Sequence, residues 1–254
     1  MVTISLAQVQ LFFLAFVRIM VMLSQVPVLG GRTIPNEIRV AFGLVLTVVL
    51  IPWQPLSADA PAMPVLVLGG ALVREAIVGL LAGFSARLVF GALQTGGELM
   101  GLVGGFSSGR ILNPAFESSS TALDQFLLLT ATLVFLALNG HHLFLLGVQK
   151  TFVMVPLNSG LPEFSVDRVL VLTQQLIQAA VLLALPVVGT ALVTDVVLGL
   201  LARVAPQVQI FFLEAPLKAG VSVLALILAF RSLAPALASM VQSIGPRMIW
   251  LLGG

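Results

Sequence analysis

Apolar residues run along this chain in blocks much longer than a half-buried strand or the one-sided stripe of a surface helix would produce. The blocks Leu6 to Leu29, Asn36 to Ile51, Val65 to Leu93, Ala122 to Val155, Val169 to Leu201 and Pro216 to Ala234 predict about six long hydrophobic helices. A helix needs roughly 20 apolar residues to cross a bilayer, and the second block, stopped by Pro35 and Pro52, is short for that. It reads as a helix packed among neighbours. Between the blocks lie the expected breakers: Gly30, Gly31 and Pro35; Pro52, Pro55, Pro61 and Pro64; Pro156, Asn158, Gly160 and Pro162; and Pro206. The fold class that follows is all-α, a polytopic membrane protein with a single membrane domain over residues 1–254.

Composition excludes the alternatives to a membrane protein. The chain is 59% hydrophobic and 9% charged, against about 25% charged in soluble domains, and its mean hydropathy is +1.14. A formal charge of +2 comes from scattered Lys and Arg with no basic run, so no nucleic-acid partner is expected. Without a cysteine there are no disulfides, thiolate metal sites or Cys nucleophiles. The N-terminus lacks a basic stretch and a small-residue cleavage site, and Arg18 lies deep in the first block, so that block reads as a retained helix. Lys and Arg differ too little between loops to set an orientation. No internal repeat is visible, which weighs against an inverted-repeat transporter.

The run from Gly96 to Pro114, GGELMGLVGGFSSGRILNP, interrupts this pattern. Backbone that leaves a helix at membrane depth survives only where protein buries it or water wets it, so a pore, cavity or subunit seam is expected there. If its first part is helical, Gly97, Gly101, Gly105 and Gly109 form a bare stripe for close backbone approach, as do Gly79 and Gly83 on the preceding helix. Beyond Gly105 the sequence is too polar and too rich in Gly, Ser, Asn and Pro to face lipid as a helix, and a loop or plug is predicted.

Charges inside apolar runs are costly and are candidates for function by default. Arg18, Arg74, Glu75, Arg87, Asp195 and Lys218 are of this kind. Arg74 and Glu75 are neighbours pointing about 100° apart on a helix, so each is expected to find its own partner on another element. Asp195 has no obvious partner in sequence. Glu214 and Lys218 stand four apart, but Pro216 between them is read as a helix start that spoils a simple pair. With no ladder of carboxylates along any helix, structural pairing across helices or subunits is favoured over a proton path.

Two catalytic patterns are weak. Gly105-Phe106-Ser107-Ser108-Gly109 fits G-x-S-x-G, but no buried strand precedes it to make the required elbow. An intramembrane serine protease pairing Ser107 with His141 or His142 lacks an oxyanion hole and a third triad member. The two histidines, being adjacent, diverge on a helix and do not make the i,i+4 spacing of a zinc site. Neither enzyme activity nor a cofactor is expected.

Residues 184–218, ALPVVGTALVTDVVLGLLARVAPQVQIFFLEAPLK, resemble the type III secretion export-gate family in its order of Pro, internal Asp, Gly-Leu with a following Arg, Pro-Gln and Pro-Leu-Lys, here Pro186, Asp195, Gly199-Leu200, Arg203, Pro206-Gln207 and Pro216-Leu217-Lys218. Similar matches occur at GRTIPNEIRVAFGLVLTVVLIP (31–52), REAIVGLLAGF (74–84), GFSSGRILNP (105–114) and LNGHHLFLLGVQKTF (138–152), so the resemblance covers essentially the whole chain. Thr151, where Ser is common, and Glu214, where a small or apolar residue is usual, are local departures. The resemblance implies a non-enzymatic subunit of the flagellar export gate in the bacterial inner membrane, at the flagellar basal body. It implies assembly with FliP and FliQ into a closed channel for unfolded flagellar proteins, with FlhB at the entrance. It also assigns the plug to Gly105, Phe106, Ser107, Ser108, Gly109, Arg110, Ile111, Leu112, Asn113 and Pro114. Arg74, Glu75, Asp195, Arg203 and Lys218 are then read as buried charges at interfaces. The helices bury against partner subunits as well as lipid. A virulence injectisome subunit and, in another class, a secondary transporter are the competing readings.

Overall fold

The computed structural model describes residues 5–30, 34–50, 62–106, 122–157, 159–160, 162, 165–207 and 209–253. Among these, nine helices follow one another: α1 (Leu6–Gln25), α2 (Pro27–Gly30), α3 (Asn36–Leu50), α4 (Val65–Val103), α5 (Ala122–Ala137), α6 (Gly140–Met154), α7 (Val166–Val204), α8 (Ile210–Gln242) and α9 (Ile244–Leu251). No strand occurs among the described residues. Helices α1, α4, α7 and the stretch Phe212–Gln242 of α8 are long and apolar enough to cross a membrane, and α5 with α6 makes a fifth span if the two count as one broken helix. The protein is an all-α polytopic membrane protein.

Local chemistry explains most of the helix limits. Ser5 opens α1 with a capping box: its hydroxyl accepts from the Gln8 N–H at 3.3 Å while Gln8 Oε1 accepts from the Ser5 N–H at 3.0 Å. Pro27 ends α1 and starts the short turn α2. The fourth block is two helices, because Asn139 adopts the left-handed conformation at φ 53° and ends the first run. Further limits differ from the sequence reading: Pro27 cuts the first block, read as one helix to Leu29, and α8 continues past Ala234 through Pro235 to Gln242. Helix α4 continues through Gly96 to Val103, so the irregular backbone begins only at Gly104; there the glycines serve close packing and the helical hydrogen bonds continue. Helix α8 begins at Ile210 and runs through Pro216, which removes one N–H without stopping the helix.

The chain groups into two compact units, residues 1–89 with 139–172 and 242–254, and residues 90–138 with 173–241. In the first, Leu14, Ile19 and Met22 of α1, Val78 and Ala82 of α4, Phe144 and Val148 of α6, and Met248 of α9 are all fully buried. A reciprocal pair, Gln10 Nε2 to Met63 O at 2.9 Å and Met63 N–H to Gln10 Oε1 at 2.7 Å, ties the approach to α4 onto α1. In the second, Phe90 meets Phe135 edge to face at 5.5 Å within a core that includes Met100, Leu127, Ala180, Leu183 and Leu237. Helix α3 lies against α1 through Gly43, where an added Cβ would stand 2.4 Å from Met20 Sδ, and leaves Ile38, Val45, Val48 and Val49 exposed.

Candidate functional site

Of the charges inside apolar runs, Arg87 stands apart, exposed and donating from Nη1 to Gln25 Oε1 at 3.3 Å, and the others form two clusters, one in each unit. In the first, Arg18 and Glu75 are both fully buried, and Arg18 Nε donates to Glu75 Oε2 at 2.6 Å. Arg18 Nη1 also donates to Thr151 O at 3.2 Å and Val155 O at 2.7 Å, and its guanidinium lies 4.5 Å from the centre of the Phe152 ring. The last carbonyls of a helix have no partner within it, so Arg18 caps the C-terminal end of α6 while neutralising Glu75 on α4. Arg74 Nη2 reaches the other oxygen of the same carboxylate at 3.2 Å. Only Glu75 therefore takes its partner from another helix; the long Arg74 side chain folds back onto its neighbour. Sequence reading marked Arg18 as costly without finding its partner. The available signal was an opposite charge, Glu75, alone in a second apolar run.

The second cluster lies on α7 and α8. Lys218 Nζ forms an ion pair with Asp195 and a second with Glu214 Oε1 at 2.6 Å. Asp195 is thus paired, and the Glu214–Lys218 pair forms despite Pro216. The side chains four apart stay on one helical face, and only the backbone donor is lost. With two carboxylates on one ammonium the cluster carries a net negative charge. Arg203 stays outside it, exposed in the last turn of α7, where a cation complements the helix dipole.

The start of the Gly-rich segment is seated beside this cluster. After α4, Gly104, Gly105 and Phe106 turn, with Gly104 N–H donating to Met100 O at 2.8 Å. A Cβ on Gly104 would stand 2.7 Å from Ser222 Oγ, and one on Gly105 would stand 2.9 Å from Ala215 O and 3.1 Å from Lys218 Cβ. Gly105 also has φ +82°, a conformation that side chains rarely adopt. The turn therefore rests on α8 at the residue that joins both carboxylates. Ser107, Ser108, Gly109, Arg110, Ile111, Leu112, Asn113 and Pro114 lie outside the described residues.

Other glycines bring helices together within each unit. A Cβ on Gly79 would meet Arg18 O at 2.7 Å, one on Gly83 would meet Gln25 Cγ at 2.8 Å, and one on Gly97 would meet Asp124 Cα at 2.5 Å. Gly101 is buried on α4. His141 Nδ1 is buried at the start of α6 and His142 is exposed. Among the described residues no three His, Asp or Glu side chains gather as a metal site would require.

Long apolar helices, charges paired between helices and a glycine turn anchored on an ion cluster define a polytopic membrane protein. The chain belongs to the bacterial export proteins, family 1, whose family model matches residues 9–244. It is 33% identical over 222 residues to the flagellar biosynthetic protein FliR of Caulobacter vibrioides, covering 86% of this chain and 88% of that protein. The FliR of Bacillus subtilis is 29% identical over 222 residues, 85% of this chain and 84% of that protein. The FliR of Escherichia coli is 29% identical over 225 residues, 87% and 85%.

Proposed function

We propose that this chain is a non-enzymatic core subunit of the flagellar type III export gate in the bacterial cytoplasmic membrane. On this reading it joins FliP and FliQ to form the closed channel for unfolded flagellar proteins, with FlhB at the entrance. Family membership supports the export role, and one structural observation supports the need for protein partners. Helices α4 and α7 each have 39 residues, an axial length of about 58 Å at about 1.5 Å per residue. Even at a tilt of about 40° such a helix covers roughly 45 Å, while the hydrocarbon core is about 30 Å thick. Yet large apolar side chains are exposed near both ends of each, Val65 and Leu102 on α4 and Val166 and Val204 on α7. Lipid cannot cover them all, so other subunits do.

The Gly-rich segment Gly105 to Pro114 is the plug, and its first residue hinges on α8 beside Lys218. Small residues let backbone pack closely into a constriction. Mass spectrometry of the detergent-purified protein tests the assembly, with co-purifying FliP and FliQ as the expected result. Purification as a lone subunit from membranes that contain both would refute it.

A further inference from the structure

In the first unit, α6 and α9 line an open groove of about 740 Å³ that the export reading does not use. The two helices meet at Gly147, where an added Cβ would stand 2.8 Å from Met248 Sδ, so the floor is tightly built. Lys150 and Arg247 line it, and among the described residues no carboxylate does. Arg247 is half-buried, and its Nη1 is buried without a hydrogen-bond acceptor among the described residues. Burial without a paired anion pulls its pKa below the ordinary guanidinium value. Apart from Gln242 the remaining wall is apolar, formed chiefly by Leu143, Leu146 and Trp250. Arg168 fixes Trp250 from another side, donating to its carbonyl at 2.8 Å with the guanidinium 5.8 Å from the ring centre. Two cations over an apolar wall edged by a Trp match an anionic amphiphile, and a volume of this size lies within the usual range for ligand sites.

We propose that this groove is a headgroup site for an anionic phospholipid, in which Lys150 and Arg247 hold the phosphate while Leu143, Leu146 and Trp250 cover the first part of an acyl chain. The assignment is independent of the export role. It is tested by native mass spectrometry of the full chain, purified in mild detergent with its co-purifying subunits, and titrated with cardiolipin, phosphatidylglycerol, phosphatidylethanolamine and inorganic phosphate. The two cations together favour the anionic lipids over phosphatidylethanolamine by about 30-fold. Lys150→Gln with Arg247→Gln is expected to remove that preference, and Lys150→Arg to keep it. Leu146→Trp, which narrows the apolar wall at a half-exposed position, serves as a second variant and should weaken lipid binding with both charges intact. Equal binding of phosphatidylglycerol and phosphatidylethanolamine to the parent protein overturns the proposal. So does displacement of lipid by an equal concentration of inorganic phosphate, which would mark a site for the free ion. A photo-crosslinker at position 146 that captures a protein side chain in place of lipid overturns it as well.

Discussion

Glu75→Gln is expected to destabilise the first unit more than any other single isosteric change at a charged residue. The substitution keeps the shape of the side chain but leaves Arg18 fully buried with no counter-charge and Arg74 beside it. Removing one partner of a buried pair costs about 3–5 kcal/mol. At about 2–4 °C per kcal/mol for a chain of this size, the melting temperature in detergent should fall by about 6–20 °C. The double change Arg18→Met with Glu75→Leu removes both buried charges and should be milder. Its remaining cost is Val155 O, which loses the donor that reached it at 2.7 Å. An unsatisfied buried carbonyl costs about 1–3 kcal/mol, and Arg74, still partly exposed, can turn to solvent. Differential scanning fluorimetry of the parent, Glu75→Gln, the single variants Arg18→Met and Glu75→Leu, and the double variant in one detergent gives the comparison. A Glu75→Gln melting point within about 2 °C of the parent would refute the clamp, as would a double variant less stable than either single one.

Deleting Gly105 to Asn113 should leave the complex assembled but leaky to ions; unchanged conductance across cells at normal assembly would reject the plug, and Ser107→Ala should barely change export. In the second cluster, Asp195→Asn and Glu214→Gln should each cost about 1 kcal/mol or less, because Lys218 keeps one carboxylate and both acids are partly exposed. Lys218→Met leaves two unneutralised carboxylates together and should reduce the yield of intact complex most. If Asp195→Asn instead lowered export per assembled complex in a pH-dependent way, Asp195 would be carrying protons. Gly79→Ala drives a Cβ to 2.7 Å from Arg18 O and should lower the melting temperature, whereas Gly91→Ala and Gly189→Ala enter open space and should raise it through helix propensity worth about 1 kcal/mol. Equal shifts at all three would remove the packing role given to Gly79.

Much of the architecture was legible in the linear chain because hydropathy and helix breaking are local properties. Long apolar blocks determine helices and membrane residence, and Pro35 marks a real boundary, whereas Pro27 cuts a block that reads as one helix to Leu29. The order of residues in 184–218 was enough to indicate the export family. Where local signals compete with packing, tertiary structure decided. Gly96 and Gly97 have poor helix propensity, yet they stay helical in a packed position: a Cβ on Gly97 would stand 2.5 Å from Asp124 Cα, and one on Gly96 would press on Ala180 O at 3.1 Å. Pro216 resembles a helix start, but neighbouring helices hold α8 together across it. Partner choice lay furthest beyond reach. Arg18 and Glu75 are 57 positions apart, and nothing between them encodes which helix faces will meet. A buried charge declares its cost in the sequence, because solvation depends on the apolar run around it; its counter-charge is chosen only when the helices pack.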